Sequence, residues 1–191
     1  MKKLGVGLFM MVIIIIYIVS IKNIGKDDSN NNNYASGNVT QNISARLSEL
    51  EDSIEKEYPD TPKKVLELHN EFMAMAYSSQ MSKEDVPSYV EKIRGLYSQE
   101  LNDLNSKDTQ QQSMMQELDD NSKESFIILS SQIGDVTVIN NSNEGEMAEV
   151  MVKHSTNQGE LIRMYKLIKE NEQWKIYSWE NEESETANLE E

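Results

Sequence analysis

Residues 147–155 read MAEVMVKHS, residues 160–169 read ELIRMYKLIK and residues 173–180 read QWKIYSWE, and these three runs decide the fold class. Each is short and rich in β-branched, aromatic or Met residues, and turn residues separate them: Asn157, Gln158 and Gly159, then Asn171 and Glu172. Links of that length and composition close hairpins, so the strands are expected to run antiparallel in a meander. A longer strand precedes them, from Phe126 to Ile133 and again from Val136 to Ile139, with a break expected at Gly134 and Asp135.

Working backwards from Asn121, the apolar period changes from two to that of a helix. Gln110 to Leu118 is a polar segment predicted as a short helix anchored by Met114, Met115 and Leu118. Lys83 to Asn105 is predicted as one helix, with Val86, Tyr89, Val90, Ile93, Leu96, Tyr97, Leu101 and Leu104 on its apolar side and Gly95 weakening it. Thr61 and Pro62 form an N-cap and a first helical position for a helix whose face is Val65, Leu68, Phe72, Met73, Met75 and Ala76. Ile43, Leu47, Leu50 and Ile54 stripe one more helix that stops before Pro59. Two heptads are too few for a coiled coil, so this helix is read as packing on its own domain. Helices first and a meander afterwards predict an α+β domain, with the helices on one face of a curved antiparallel sheet of about four strands.

Outside that domain the chain changes character. Leu4 to Ile21 is an 18-residue run without a charge. As a helix it spans ~27 Å, enough for a hydrocarbon core. Its end, at Ser20 to Gly25, lacks a small-x-small cleavage site, so it reads as a retained signal anchor and a single-pass transmembrane helix. Lys2 and Lys3 before it, against Lys22 and Lys26 followed by Asp27 and Asp28, favour a cytoplasmic N-terminus and an extracytoplasmic domain. The expected organisation is a stub and anchor over 1–26, a disordered Asn- and Ser-rich tether over 27–41, the α+β domain over 42–181, and an acidic disordered tail over 182–191. All 33 acidic residues and 14 of the 18 basic ones follow Lys26, so residues 27–191 carry −19 and are not expected to bind nucleic acid. The absence of cysteine removes disulfides, thiolate nucleophiles and zinc–thiolate sites.

The order of helices followed by a long-stranded sheet that ends in Trp174, Lys175, Ile176, Tyr177, Ser178 and Trp179 resembles the nuclear transport factor 2-like, or cystatin-like cone, fold. Tyr58 to Val65, Leu96 with Tyr97, Glu100 with Leu101 and the closing tryptophan strand are similar to a family of small membrane-anchored proteins of Gram-positive bacteria with no assigned activity. The resemblance spans about Tyr58 to Trp179 and implies a fold and no chemistry. Cone-fold relatives use the mouth between helices and sheet either as a pocket or as a docking surface. An anchor joined to such a domain also resembles, in architecture alone, the bitopic scaffold subunit of conjugative secretion machines, which implies homo-oligomers and partners in a transport complex.

Candidate site residues follow from the strands. His154 shares a face with Val150 and Val152, while Arg163 and Tyr165 alternate with Leu161 and Leu167 on the next strand. With Trp179 these are the candidate ligand-binding residues, His154 and Tyr165 being the ones an enzyme would use. No Asp or Glu is placed by sequence to orient His154, so a core-edge histidine with one hydrogen bond is the preferred reading over catalysis. His69, on the apolar side of its helix, reads as a packing residue. Trp174 and Trp179, an odd number apart, are expected on opposite faces of the last strand, one of them free for a partner. No calcium loop, phosphate-cradling glycine loop or nucleophile elbow is present, so neither metal nor cofactor is expected. The sequence therefore favours a membrane-tethered binding or interaction domain, with a cone-pocket enzyme as the alternative.

Overall fold

A computed structural model describes residues 43–78, 80–124, 126–141 and 145–182. The expectations for the anchor and the tether, and nearly all of the tail, lie outside these residues. Among the described residues no helix is long and apolar enough to cross a membrane.

Among the described residues the domain is α+β, with five α-helices packed on an open four-stranded antiparallel sheet of order β1-β2-β3-β4. Helix α1 (Ile43–Lys56) buries Ile43, Leu47 and Leu50, as its spacing of four and three predicts. The hydroxyl of Thr61 accepts from the Lys64 amide at 3.3 Å, and Pro62 opens α2 (Pro62–Ala76). Tyr58, just before that cap, donates its hydroxyl to the Trp174 carbonyl at 2.7 Å, while Lys175 sits 4.0 Å over its ring. The Tyr58-Pro59 segment is thus fastened to the start of the last strand.

The single long helix expected over Lys83 to Asn105 is instead interrupted. Helix α3 (Val86–Ile93) runs into a 3-10 turn at Arg94–Leu96, and α4 (Gln99–Leu104) starts afresh. Between them Tyr97 is extended and bridges Ile176, and the Ser98 amide donates to the Ile176 carbonyl at 2.9 Å. The Ser98 hydroxyl then caps α4 by accepting from the Leu101 amide. Docking on the sheet edge overrides the local helical preference of this stretch. Helix α5 (Lys107–Glu124) is longer than predicted: its outer turns are polar and leave no apolar stripe from which a helix could be read. Met114, Met115 and Leu118 are its contacts with the core, as expected.

Strands β1 (Ile128–Asn141), β2 (Gly145–Thr156), β3 (Gly159–Glu170) and β4 (Gln173–Asn181) follow the predicted meander. The turn between β3 and β4 places both Asn171 and Glu172 at positive φ, the conformation a two-residue hairpin needs. The break at Gly134 and Asp135 appears as a register shift between Ile133 and Val136 within one continuous strand. A second shift was not legible: Lys166 pairs with Ser178 while Leu167 pairs with Ile176, so Tyr177 is an extra residue on β4. Trp174 therefore pairs with Lys169, and Trp179 with Tyr165, two β3 positions that share a face. The expectation that the two tryptophans face opposite ways is corrected: the bulge resets the alternation and both lie on the face the helices cover. Trp174 is 5% exposed, and Trp179 is partly buried against the same core.

Candidate functional site

The covered face of the sheet is built from alternate residues of each strand: Ala148, Val150, Val152 and His154 on β2, Leu167, Tyr165 and Arg163 on β3, and Trp174, Ile176, Trp179 and Asn181 on β4. Near the β3–β4 turn these groups are apolar. Towards the start of β3 they become polar, and α2 brings His69 onto them, one turn after Val65.

His69 is 1% exposed and its ring lies 5.4 Å from Tyr165, 6.0 Å from Tyr97 and 6.2 Å from Trp179, centre to centre. Both of its ring nitrogens are buried without a hydrogen-bond partner. His154 is fully covered. Its Nδ1 is 2.8 Å from the Ser131 hydroxyl on β1, and its Nε2 has no partner. The Tyr165 hydroxyl is likewise covered and makes no well-formed hydrogen bond, although Arg163 is its neighbour. Four orphaned polar atoms on three adjacent side chains are unusual in a packed interior, where polar groups are nearly always paired.

Arg163 completes the group. It is 8% exposed, and its Nε donates to the Asn181 Oδ1 at 3.1 Å. Among the described residues it forms no ion pair. The acid that acts on it from nearby, Glu117, already accepts the Tyr77 hydroxyl. Burial works against the charge of Arg163, yet Tyr165, Tyr77 and Glu117 leave its pKa above the ordinary value. The same cation adds to the effect of burial on the histidines: burial first and Arg163 second lower His69 to about 3 and His154 to about 4. Burial raises the Tyr165 phenol, with Arg163 opposing it only in part. At neutral pH the cluster is one guanidinium, two neutral imidazoles and a neutral phenol.

His154, Arg163, Tyr165 and Trp179, the four candidates from the sequence, thus meet at one end of the covered face. His154 has the single hydrogen bond that the core-edge reading expects, with Ser131, and is fully buried. His69 differs from the sequence reading, since as a packing residue it would be expected to satisfy at least one nitrogen. Tyr97, Ser131 and Asn181 were not foreseen; each arrives through strand register or the break in the third helix. Neither histidine is hydrogen-bonded to a carboxylate, so the arrangement lacks an oriented general base. Among the described residues no group of three or more His, Asp or Glu side chains could hold a metal ion. What the cluster offers is hydrogen-bonding groups beside a set of mutually tilted aromatic rings.

No curated protein matches the sequence. Residues 1–179 match the family model described as Domain of unknown function (DUF6715), and with nearly its whole length included the chain belongs to that family.

Proposed function

We propose that the chain is a single-pass membrane protein whose α+β domain, held on the extracytoplasmic side by residues 4–21 and a tether over 27–41, binds a small polar molecule between helices and sheet. In this reading the domain is a nuclear transport factor 2-like cone and the site is its polar end, while residues 182–191 form a solvated tail. The observation that supports binding over a purely structural role is the convergence of His69, His154, Arg163 and Tyr165 with four buried atoms unpaired. An interior built only for stability would fill that space with hydrocarbon, because a buried polar atom without a partner costs about 1–3 kcal/mol. The enzyme alternative has no comparable support, since neither histidine is oriented by an acid.

The test is to replace the cluster by apolar groups of similar size: His69→Leu, His154→Leu, Arg163→Met and Tyr165→Phe together. A thermal midpoint equal to or above that of the parent chain is expected, because groups retained for binding are commonly held at a cost in stability. A clear fall would make the cluster structural and sink the proposal. The topology is tested separately by Ser36→Cys in a chain that has no other cysteine. Labelling by a membrane-impermeant thiol reagent on intact cells is expected, and its failure with good expression would reverse the orientation.

A further inference from the structure

We infer that Arg163 is the docking point for a carboxylate, received at the polar end of the covered sheet face with His69, His154 and Tyr165 around it. The inference rests on the binding reading above and names the chemistry of the ligand.

The argument starts from the charge. Arg163 is a nearly buried cation that donates through Nε to Asn181, lies beside the Tyr165 hydroxyl and Glu117, and forms no ion pair among the described residues. A guanidinium in that position is normally matched by an acid, and its flat fork fits the two oxygens of a carboxylate better than any other common group. At 8% exposure a small part of the residue stays open.

Beside the Asn181 Oδ1 that accepts from Nε, and Glu117, whose carboxylate already accepts the Tyr77 hydroxyl, the neighbours supply donors. A neutral imidazole keeps one N–H, and the Tyr165 phenol is held neutral, so His69 and Tyr165 each have a hydrogen to give, and His154 gives one from Nε2 in the tautomer whose Nδ1 accepts from Ser131. One positive charge among neutral donors suits a monoanion. A multiply charged phosphate would lack balancing cations in a chain whose net charge is −15. Tyr97, Tyr165 and Trp179, with ring centres 5.9 to 6.1 Å apart in the Tyr97–Trp179 and Tyr165–Trp179 pairs and tilted to one another around His69, give the site aromatic surroundings that favour a planar or apolar acid. The carboxylate has two possible sources, a free small acid or the glutamates that follow Glu182 in this chain.

The experiment uses the full-length protein in detergent and the same chain ended at Glu182. Each is titrated with sodium benzoate, sodium acetate and sodium phosphate against sodium chloride at matched ionic strength. Thermal midpoint and the side-chain nitrogen resonances of the two histidines are followed. A saturable response to benzoate, weaker with acetate and beyond the chloride control, is expected, with affinity falling at least about tenfold in Arg163→Met. Response in both chains names a free acid; response only in the shortened chain names the tail. Either result supports a carboxylate on Arg163. Equal responses to chloride and carboxylates, a response to phosphate alone, or undiminished binding in Arg163→Met would overturn the inference. Because the histidine resonances of the parent chain report contact directly, the result does not depend on that variant folding. If carboxylates fail while the apolar four-residue variant gains stability, this inference falls and the binding reading stands; if that variant loses stability, both fall.

Discussion

The two ends of the covered sheet face are made by the same strands, yet they differ in kind. Near the β3–β4 turn, Leu167 and Ile176 are fully buried and Trp174 nearly so, and all three belong to the apolar core that Leu66, Phe72 and Leu96 bring from the helical layer. Two and four residues back along β3 from Leu167, the positions that would continue this packing are Tyr165 and Arg163, facing His69 and His154. The first end gains stability from every atom it hides, by roughly 25 cal/mol for each Å² of apolar surface. The second hides atoms that would be better off in water. Burial alone therefore does not identify a core, and within one continuous interior the state of hydrogen bonding separates the part that holds the fold from the part available to a ligand.

The comparison can be broken most forcefully at its apolar end. Ile176→Ala is expected to cost about 2–5 kcal/mol in urea or guanidinium unfolding, because it empties a fully buried position where β4 also receives Tyr97. A loss below about 1 kcal/mol would mean that this end is no better packed than the other.

Acid should act at the polar end. The folded-state pKa values of His69 and His154, about 3 and about 4, lie below the ordinary 6.5, so on acidification the unfolded chain takes up these protons first. Their contribution is whole above about pH 6.5 and is lost as the pH falls towards 4 and then 3, at up to about 1.4 kcal/mol per pH unit for each histidine. Unfolding midpoints measured from pH 7 to pH 4 should show this slope, and His69→Leu should remove part of it. An unchanged slope in that variant would assign the acid sensitivity to other groups.

Smaller effects sharpen the contrast. Thr61→Ala removes the α2 cap, which lies outside both ends, and should cost about 1 kcal/mol without changing the pH slope. Tyr165→Phe removes a hydroxyl that makes no well-formed hydrogen bond and should leave stability within about 1 kcal/mol of the parent or raise it. A larger loss would reveal a partner for that hydroxyl and weaken the case that the polar end is open to a ligand.

How far the sequence could be read follows from the range of the interactions involved. The four strands were legible because alternation and turn chemistry are properties of neighbouring residues, and Asn171-Glu172 closes its hairpin whatever lies elsewhere. His154, Arg163 and Tyr165 were placed on adjacent strands for the same reason. The faces of Trp174 and Trp179 were not legible, because one extra residue at Tyr177 reverses the count and only pairing with β3 reveals it. Tyr97 reads as a helical residue in the sequence because its bridge to Ile176 exists only once β4 is in position.

Alone, then, the sequence determined the α+β class, the hairpin order, the capped start of α2 and the acidic, cysteine-free character of the chain, all of which are local or compositional. Tertiary structure decided which side of β4 its aromatic residues occupy, where the third helix breaks, and that His69 meets Tyr165 and Arg163 without a hydrogen-bond partner. These depend on pairing between residues from 12 positions apart, as in Lys166 with Ser178, to 96, as in His69 with Tyr165, and no local pattern encodes what a side chain finds across the core.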